Sequence, residues 1–257
     1  MIQLTEYKIA NAKFTDKIVF ALVSDLHGDD PKEIIDVLRQ VNPDIILAAG
    51  DIFEALDGNH DAKNEAGFEL LRACSDIAPT FYAPGNHEVG GTLSWSPVWK
   101  FSYAKEKNFS EYSMQRLKET GVYFLDDSFT TYNGMAFAGL GSALINKDKR
   151  PKLEFLAEFC ALDMPKILIC HHPEYYEKYL ADMDIDLIVS GHAHGGQWRF
   201  FGRGIFAPGQ GFFPKYTSGV YNGKLVVSRG LKKSKKIPRI FNKPEVVKIV
   251  MQKPEKI

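Results

Sequence analysis

The chain has 257 residues and a mass of 28.9 kDa, which suits one large α/β domain or two small ones and is ample to bury a core. Hydrophobic residues make up 45% and charged residues 25%, an ordinary globular balance that argues against disorder and fibrous architecture. Lys+Arg and Asp+Glu both total 32, and this formal net charge of +0 argues against a nucleic-acid coat, so no nucleic-acid partner is expected.

In chain order, Met1 to Lys8 shows no basic region leading into an apolar one, so no signal peptide is visible. Short apolar runs then end abruptly in polar residues and glycine, the pattern of buried strands feeding loops. They are Ile18–Ser24 into Asp25-Leu-His27, Asp44–Ala49 into Gly50-Asp51, and Thr80–Ala83 into Pro84-Gly-Asn-His-Glu88. Met135–Leu140, Lys166–Cys170 into His171-His172-Pro173, and Asp186–Ser190 into Gly191-His-Ala-His194 follow. Amphipathic stretches at Pro31–Gln40, Glu65–Cys74 and Glu111–Thr120 predict helices between them. The alternation predicts a layered α/β fold. After Gly195 the pattern changes to short strands and Gly/Pro turns, which predicts a final β-rich layer over 195–257. No repeat or linker interrupts the chain, so 1–257 is expected to be a single domain. The longest apolar runs are far too short to span a bilayer. Cys74, Cys160 and Cys170 are odd in number and far apart, which fits a reducing compartment and a cytoplasmic location.

The neutral total hides an asymmetry. From Lys224 to Ile257 there are eleven basic residues against Glu245 and Glu255, with the densest run at Lys232-Lys-Ser-Lys-Lys236. A solvated, mobile surface segment is the first reading. The second is weak contact with an anionic partner such as an acidic membrane surface, which would make the protein peripheral to a membrane.

Histidine placement is the strongest signal. Of seven histidines, His27, His87, His171, His192 and His194 stand at the ends of predicted strands, where ligands gather in open α/β sheets. His172 adjoins one of them, and only His60 stands apart. Residues two apart in extended chain project to one side, so Asp25/His27 and His192/His194 are each expected to aim two ligands at one centre. Asp51 follows Gly50, whose missing Cβ permits close approach, and its two carboxylate oxygens could bridge two ions. With Asn86 and His171 this makes seven side chains, too many for one tetrahedral ion but suited to two ions sharing a carboxylate. Mixed imidazole, carboxylate and amide donors disfavour Mg²⁺ and suit Mn²⁺ first, with Fe or Zn²⁺ as alternatives.

In this order, Asp25-Leu-His27, Gly50-Asp51, Gly85-Asn-His-Glu88, His171 and Gly191-His-Ala-His194 resemble the five-block signature of the calcineurin-like metallophosphoesterase superfamily. Gly191 to Gln197, Phe206 to Gly211, Phe213-Pro-Lys-Tyr216 and Ser228-Arg-Gly230 resemble a narrower bacterial branch. That branch includes membrane-associated or exported phosphodiesterases and relatives that hydrolyse the pyrophosphate of UDP-diacylglucosamine. The resemblance implies a four-layer sandwich of two mixed β-sheets flanked by helices. It implies one ion held by Asp25, His27, Asp51 and His194, and a second held by Asp51, Asn86, His171 and His192. His87 would be the proton donor, with Glu88 helping to orient it, and a hydroxide between the metals would attack phosphorus in line. The implied substrate is a phosphorylated small molecule or a lipid-linked one, cleaved at a phosphodiester or pyrophosphate bond. A phosphomonoesterase on the same site and a non-catalytic scaffold are the alternatives.

Several further residues compete for roles. Gly58-Asn-His-Asp61 mimics the third block, but no apolar strand runs into it. His172 is a substrate-contact candidate or a packed residue, since Pro173 keeps it extended and turns it away from His171. Lys215 and Arg229 rank first among candidate phosphate contacts, ahead of Arg199 and Arg203. Cys170 reads as a small buried hydrophobe. Trp198, Phe212 and Phe213 read as core first, and as an apolar wall for a nucleobase or acyl chain second. Trp95, Trp99 and Phe101 lie in a long segment that would cover the site.

Overall fold

The structure is a computed structural model and describes residues 1–54, 61–88, 93–94, 102–103, 110–142, 151–208, 210–233 and 238–254. Its first half contains β1 (Gln3–Ala10), β2 (Ile18–Val23), α1 (Lys32–Val41), β3 (Ile45–Ala49), α2 (Asp61–Ile77) and β4 (Thr80–Ala83). The short pair β5 (Leu93–Ser94) and β6 (Ser102–Tyr103), α3 (Glu111–Glu119) and β7 (Tyr123–Phe124) follow. Next come β8 (Ser128–Tyr132), β9 (Met135–Leu140), α4 (Phe155–Cys160), β10 (Lys166–Cys170) and β11 (Leu187–Ser190). Two ribbons, β12 (Arg199–Phe200) with β13 (Arg203–Gly204) and β14 (Phe206–Ala207) with β15 (Gly211–Phe212), precede β16 (Gly219–Tyr221), β17 (Leu225–Val227) and β18 (Glu245–Gln252).

Two six-stranded sheets form, in the orders β1-β18-β2-β3-β4-β7 and β16-β17-β11-β10-β9-β8. Period-two alternation explains how they stack. In β2, Phe20 and Leu22 face the second sheet while Ala21 and Val23 face α1 and α2; Leu47 and Ile46 divide likewise in β3. Phe137, Ile167, Ile169 and Val189 meet them from the second sheet. Ala138, Leu168 and Ile188 turn outward onto Leu156 and Phe159 of α4. Three apolar layers therefore separate helices, sheet, sheet and helix, the expected four-layer sandwich. Both sheets are mixed, since β18 runs antiparallel to β2, and β8 antiparallel to β9, among otherwise largely parallel neighbours.

The C-terminal segment differs from its expected form. It builds no layer of its own, because β16 and β17 extend the second sheet and β18 lies inside the first, between β1 and β2. Nor is it a solvated tail over Glu245–Gln252, where the only break in burial before Gln252 is Lys248, paired with Glu6 of β1. Strand β1 carries no apolar run because it is an edge strand with mostly exposed side chains. Gly58 to His60, Trp95, Trp99, Phe101 and Lys235-Lys236 lie outside the described residues.

Ile249 is fully buried between the sheets. Ile249→Ala is therefore expected to destabilise the fold by about 2–5 kcal/mol in urea denaturation, where an exposed tail would show no change.

Candidate metal centre

Strands β2, β3 and β4 of one sheet and β10 and β11 of the other are parallel within their sheets, and their carboxyl ends deliver the predicted residues to one edge. The backbone there is not extended. Asp25, His27, Asp51, His192 and His194 adopt φ of 56°, 51°, 53°, 64° and 46°, the left-handed region that L-residues rarely enter. Left-handed turns rather than extended chain therefore do the aiming, and of the two i, i+2 pairs Asp25 and His27 do face one group. Gly50 is required for the approach: a Cβ there would fall 2.6 Å from Gly85 N and 2.7 Å from His171 Nδ1.

Donor atoms of Asp25, His27 and His194 lie within 4.8 Å of one another, and so do those of Asp51, His171 and His192. His192 and His194 thus serve different groups. Asp51 joins them, its Oδ2 standing 3.7 Å from His27 Nε2 and 3.2 Å from His171 Nε2. Asp25 Oδ1 is 4.0 Å from His27 Nε2 and 3.7 Å from His194 Nε2. Asn86 is buried beside Gly85, which packs on Asp51 and His171.

This donor set fits divalent metal. The Nε2 atoms of His27 and His192 and Oδ1 of Asn86 are buried without a hydrogen-bond partner, an expensive state unless an ion completes it. Burial keeps His27, His192 and His194 neutral, with His194 drawn down to about 4, so their lone pairs are available. Burial also opposes a charge on His171, but Asp51 outweighs it and raises His171 to about 10. A proton there balances the Asp51 carboxylate in the place a cation would take. His171 Nδ1 lies 2.7 Å from Ala49 O, the backbone contact that orients a ligating imidazole and leaves Nε2 facing the centre.

Glu88 does not orient His87. Its carboxylate is buried and accepts hydrogen bonds from the backbone N–H groups of Asp51, Phe53 and Gly85. Burial and the Asp51 charge push its carboxyl up. The partner of His87 is Glu54, whose Oε2 stands 3.3 Å from His87 Nδ1 while its Oε1 meets Lys232 Nζ at 3.4 Å. Glu54 is three residues beyond Asp51, and that spacing was the available sequence signal. Desolvation alone would discharge His87, but Asp51 and then Glu54 reverse this and raise it above the ordinary imidazole range.

Lys215 and Arg229 do not bring their cations to the cluster. Lys215 pairs with Glu177 on the surface, and Arg229 is engaged by buried Glu245. Arg239 is a second cation beside the centre after Lys232, its Nη2 3.4 Å from His194 Nδ1 and its Nη1 donating to Arg229 O. Burial lowers its guanidinium to about 10, so it stays charged at neutral pH. His172 is packed behind His192, with Nε2 2.6 Å from Ser142 Oγ and Nδ1 3.4 Å from Glu174. Cys170 is buried and its thiol is pushed up, as expected for a hydrophobe. Phe212 and Phe213 are exposed and form no part of the core.

A family model for calcineurin-like phosphoesterases matches residues 18–196, well over half of the chain. The chain is 25% identical over 252 residues to the uncharacterized protein YpbG of Bacillus subtilis, covering 97% of this chain and 86% of that protein. It is 28% identical over 261 residues to the uncharacterized metallophosphoesterase YkuE of the same bacterium, covering 96% and 84%. Against the phosphodiesterase YaeI of Escherichia coli the identity is 27% over 162 residues, 61% of this chain and 51% of that protein. With its sandwich fold and clustered histidines and carboxylates, the chain belongs to the calcineurin-like phosphoesterases and is a metallophosphoesterase, a metal-dependent hydrolase.

Proposed function

We propose that the chain is a two-metal phosphodiesterase or pyrophosphatase. The observation that carries this reading is the Asp51 carboxylate, placed between His27 of one donor group and His171 of the other. Asp25, His27, Asp51 and His194 would hold one ion, and Asp51, Asn86, His171 and His192 the second. Two divalent ions so held supply positive charge to the phosphoryl oxygens and lower the pKa of a bound water.

The chain's own residues supply the rest. His87, partly open to solvent at the edge of the centre, gives a proton to the departing oxygen as the P–O bond breaks, so the leaving group departs as an alcohol or a protonated phosphate. Glu54 holds the His87 ring through Nδ1, leaving Nε2 for that transfer. Arg239, against His194 Nδ1, adds fixed positive charge beside the centre. The buried imidazole rings exclude bulk water from one side of the reacting phosphorus. Diester preference is supported by the name of the Escherichia coli relative.

Metal content and hydrolysis, measured together on metal-free and Mn²⁺-loaded protein, test the reading. Two ions per chain with metal-dependent cleavage of bis(p-nitrophenyl) phosphate are expected. Cleavage of p-nitrophenyl phosphate alone would move the substrate class to monoesters, and no bound metal would overturn the proposal. His87→Ala should keep both ions and lose about 10²–10⁴-fold in kcat. Asp51→Asn should deplete both ions together in elemental analysis. Glu54→Gln should keep both ions and lower kcat roughly ten- to a hundredfold. It removes the charge favouring protonated His87, so the alkaline limb of the pH–rate profile should move to lower pH.

A further inference from the structure

The region between β11 and β18 exposes large aromatics in an unusual backbone state. Phe201, Phe213 and Phe241 are 104%, 79% and 78% exposed, and all three sit at positive φ, of 50°, 53° and 51°. A bulky residue there meets steric strain that Gly or Asn would avoid, and its exposed ring gains nothing from burial. Phe200, Phe212 and Ile240 are exposed beside them.

Backbone contacts join the segments that carry these residues. Ile240 bridges to Trp198, and Arg199 N donates to Ile240 O. Ile205 N donates to Trp198 O, and Phe213 N donates to Ile205 O. The Phe200 and Phe241 rings lie 5.9 Å apart. Gly202 and Gly211 have open space around them, so the turns project beyond their neighbours.

Two exposed cations lie beside these turns. Arg203, opposite Phe200 in the β12–β13 ribbon, and Lys243, two residues after Phe241, are exposed and form no ion pair among the described residues. Projecting aromatic tips with a cationic collar suit a soft anionic medium better than a rigid protein groove. No helix among the described residues is long and apolar enough to cross a membrane, so contact through this surface would be peripheral.

We propose that the aromatic turn tips Phe201, Phe213 and Phe241 dock the protein on an anionic lipid bilayer, entering the interface while Arg203 and Lys243 meet the headgroups. This docking stands apart from the metal centre and from the lysine run.

Flotation of the full chain with phosphatidylcholine vesicles, with and without phosphatidylglycerol, tests it. Binding is expected to the anionic vesicles and to weaken as salt is raised. The triple variant Phe201→Asn, Phe213→Asn, Phe241→Asn should lose roughly tenfold or more of the bound fraction. Its thermal midpoint should hold or rise, because Asn tolerates left-handed backbone, and its hydrolysis of a soluble diester should be unchanged. Absence of flotation, equal flotation of the variant, or a lowered midpoint marking the rings as packing groups would each overturn the proposal. So would light scattering that shows a dimer of the parent and a monomer of the variant, since the face would then cover a second copy. A parent that floats but hydrolyses no diester would sink the phosphodiesterase reading and leave the docking surface standing.

Discussion

The centre depends on backbone held against its own steric preference. Left-handed geometry at Asp25, His27, Asp51, His192 and His194 disfavours each residue by roughly 1–2 kcal/mol, and hydrogen bonds to carboxylates hold it in place. Asp25 accepts from His192 N at 3.0 Å, and Asp51 accepts from His87 N at 2.8 Å. Glu88 accepts from three backbone N–H groups on the loops after β3 and β4. The acids that give the centre its charge therefore also tie the loops from both sheets together. Donor position and loop conformation cannot vary independently, which is the preorganisation a metal site needs.

Burial gives the same residues their electrostatic character. Asp25 and Asp51 are enclosed with four imidazoles, and enclosure leaves His27, His192 and His194 neutral. Burial pushes Asp51 up as well, but His171 and His87 outweigh it and hold its carboxyl well below the usual range. A buried carboxylate facing neutral nitrogen donors is stable only if a positive charge joins it. In this structure a proton on His171 can play that part. Bound metal supplies more charge at the same point and frees His171 to ligate, so metal affinity must fall as protons compete for the site.

The inner strands were legible because fully buried parallel strands show as continuous apolar runs, and Thr80–Ala83, Met135–Leu140 and Lys166–Cys170 match their predicted bounds. β18 was obscured because the basic residues around it dominate its composition, although Val246, Val247, Ile249 and Val250 are core. At the site, residue identity and position at strand ends were readable, but conformation was not: nothing in Asp25-Leu-His27 announces two left-handed residues. Glu54 went unread for a related reason. The resemblance implied that Glu88 orients His87, whereas the turn after β4 carries its carboxylate inward to the backbone of the β3 loop. Arg239 was hidden because its neighbour His194 lies far away in sequence and meets it only when β18 enters the first sheet.

That entry joins the C-terminal segment to the centre. Asn242 Nδ2 donates to His194 O at 2.7 Å and to Gln197 O at 3.1 Å, bracing the turn that presents His194. A Cβ on Gly195 would collide with Asn242 Oδ1, so the two segments are in close contact. Arg239 approaches the His194 imidazole at Nδ1, and Lys232 N donates to Asp25 O. Phe241, exposed at the surface, is one residue from Asn242 and two from Arg239. The chain leading into β18 therefore carries one exposed aromatic tip and, through Asn242, braces the turn that presents one candidate metal ligand.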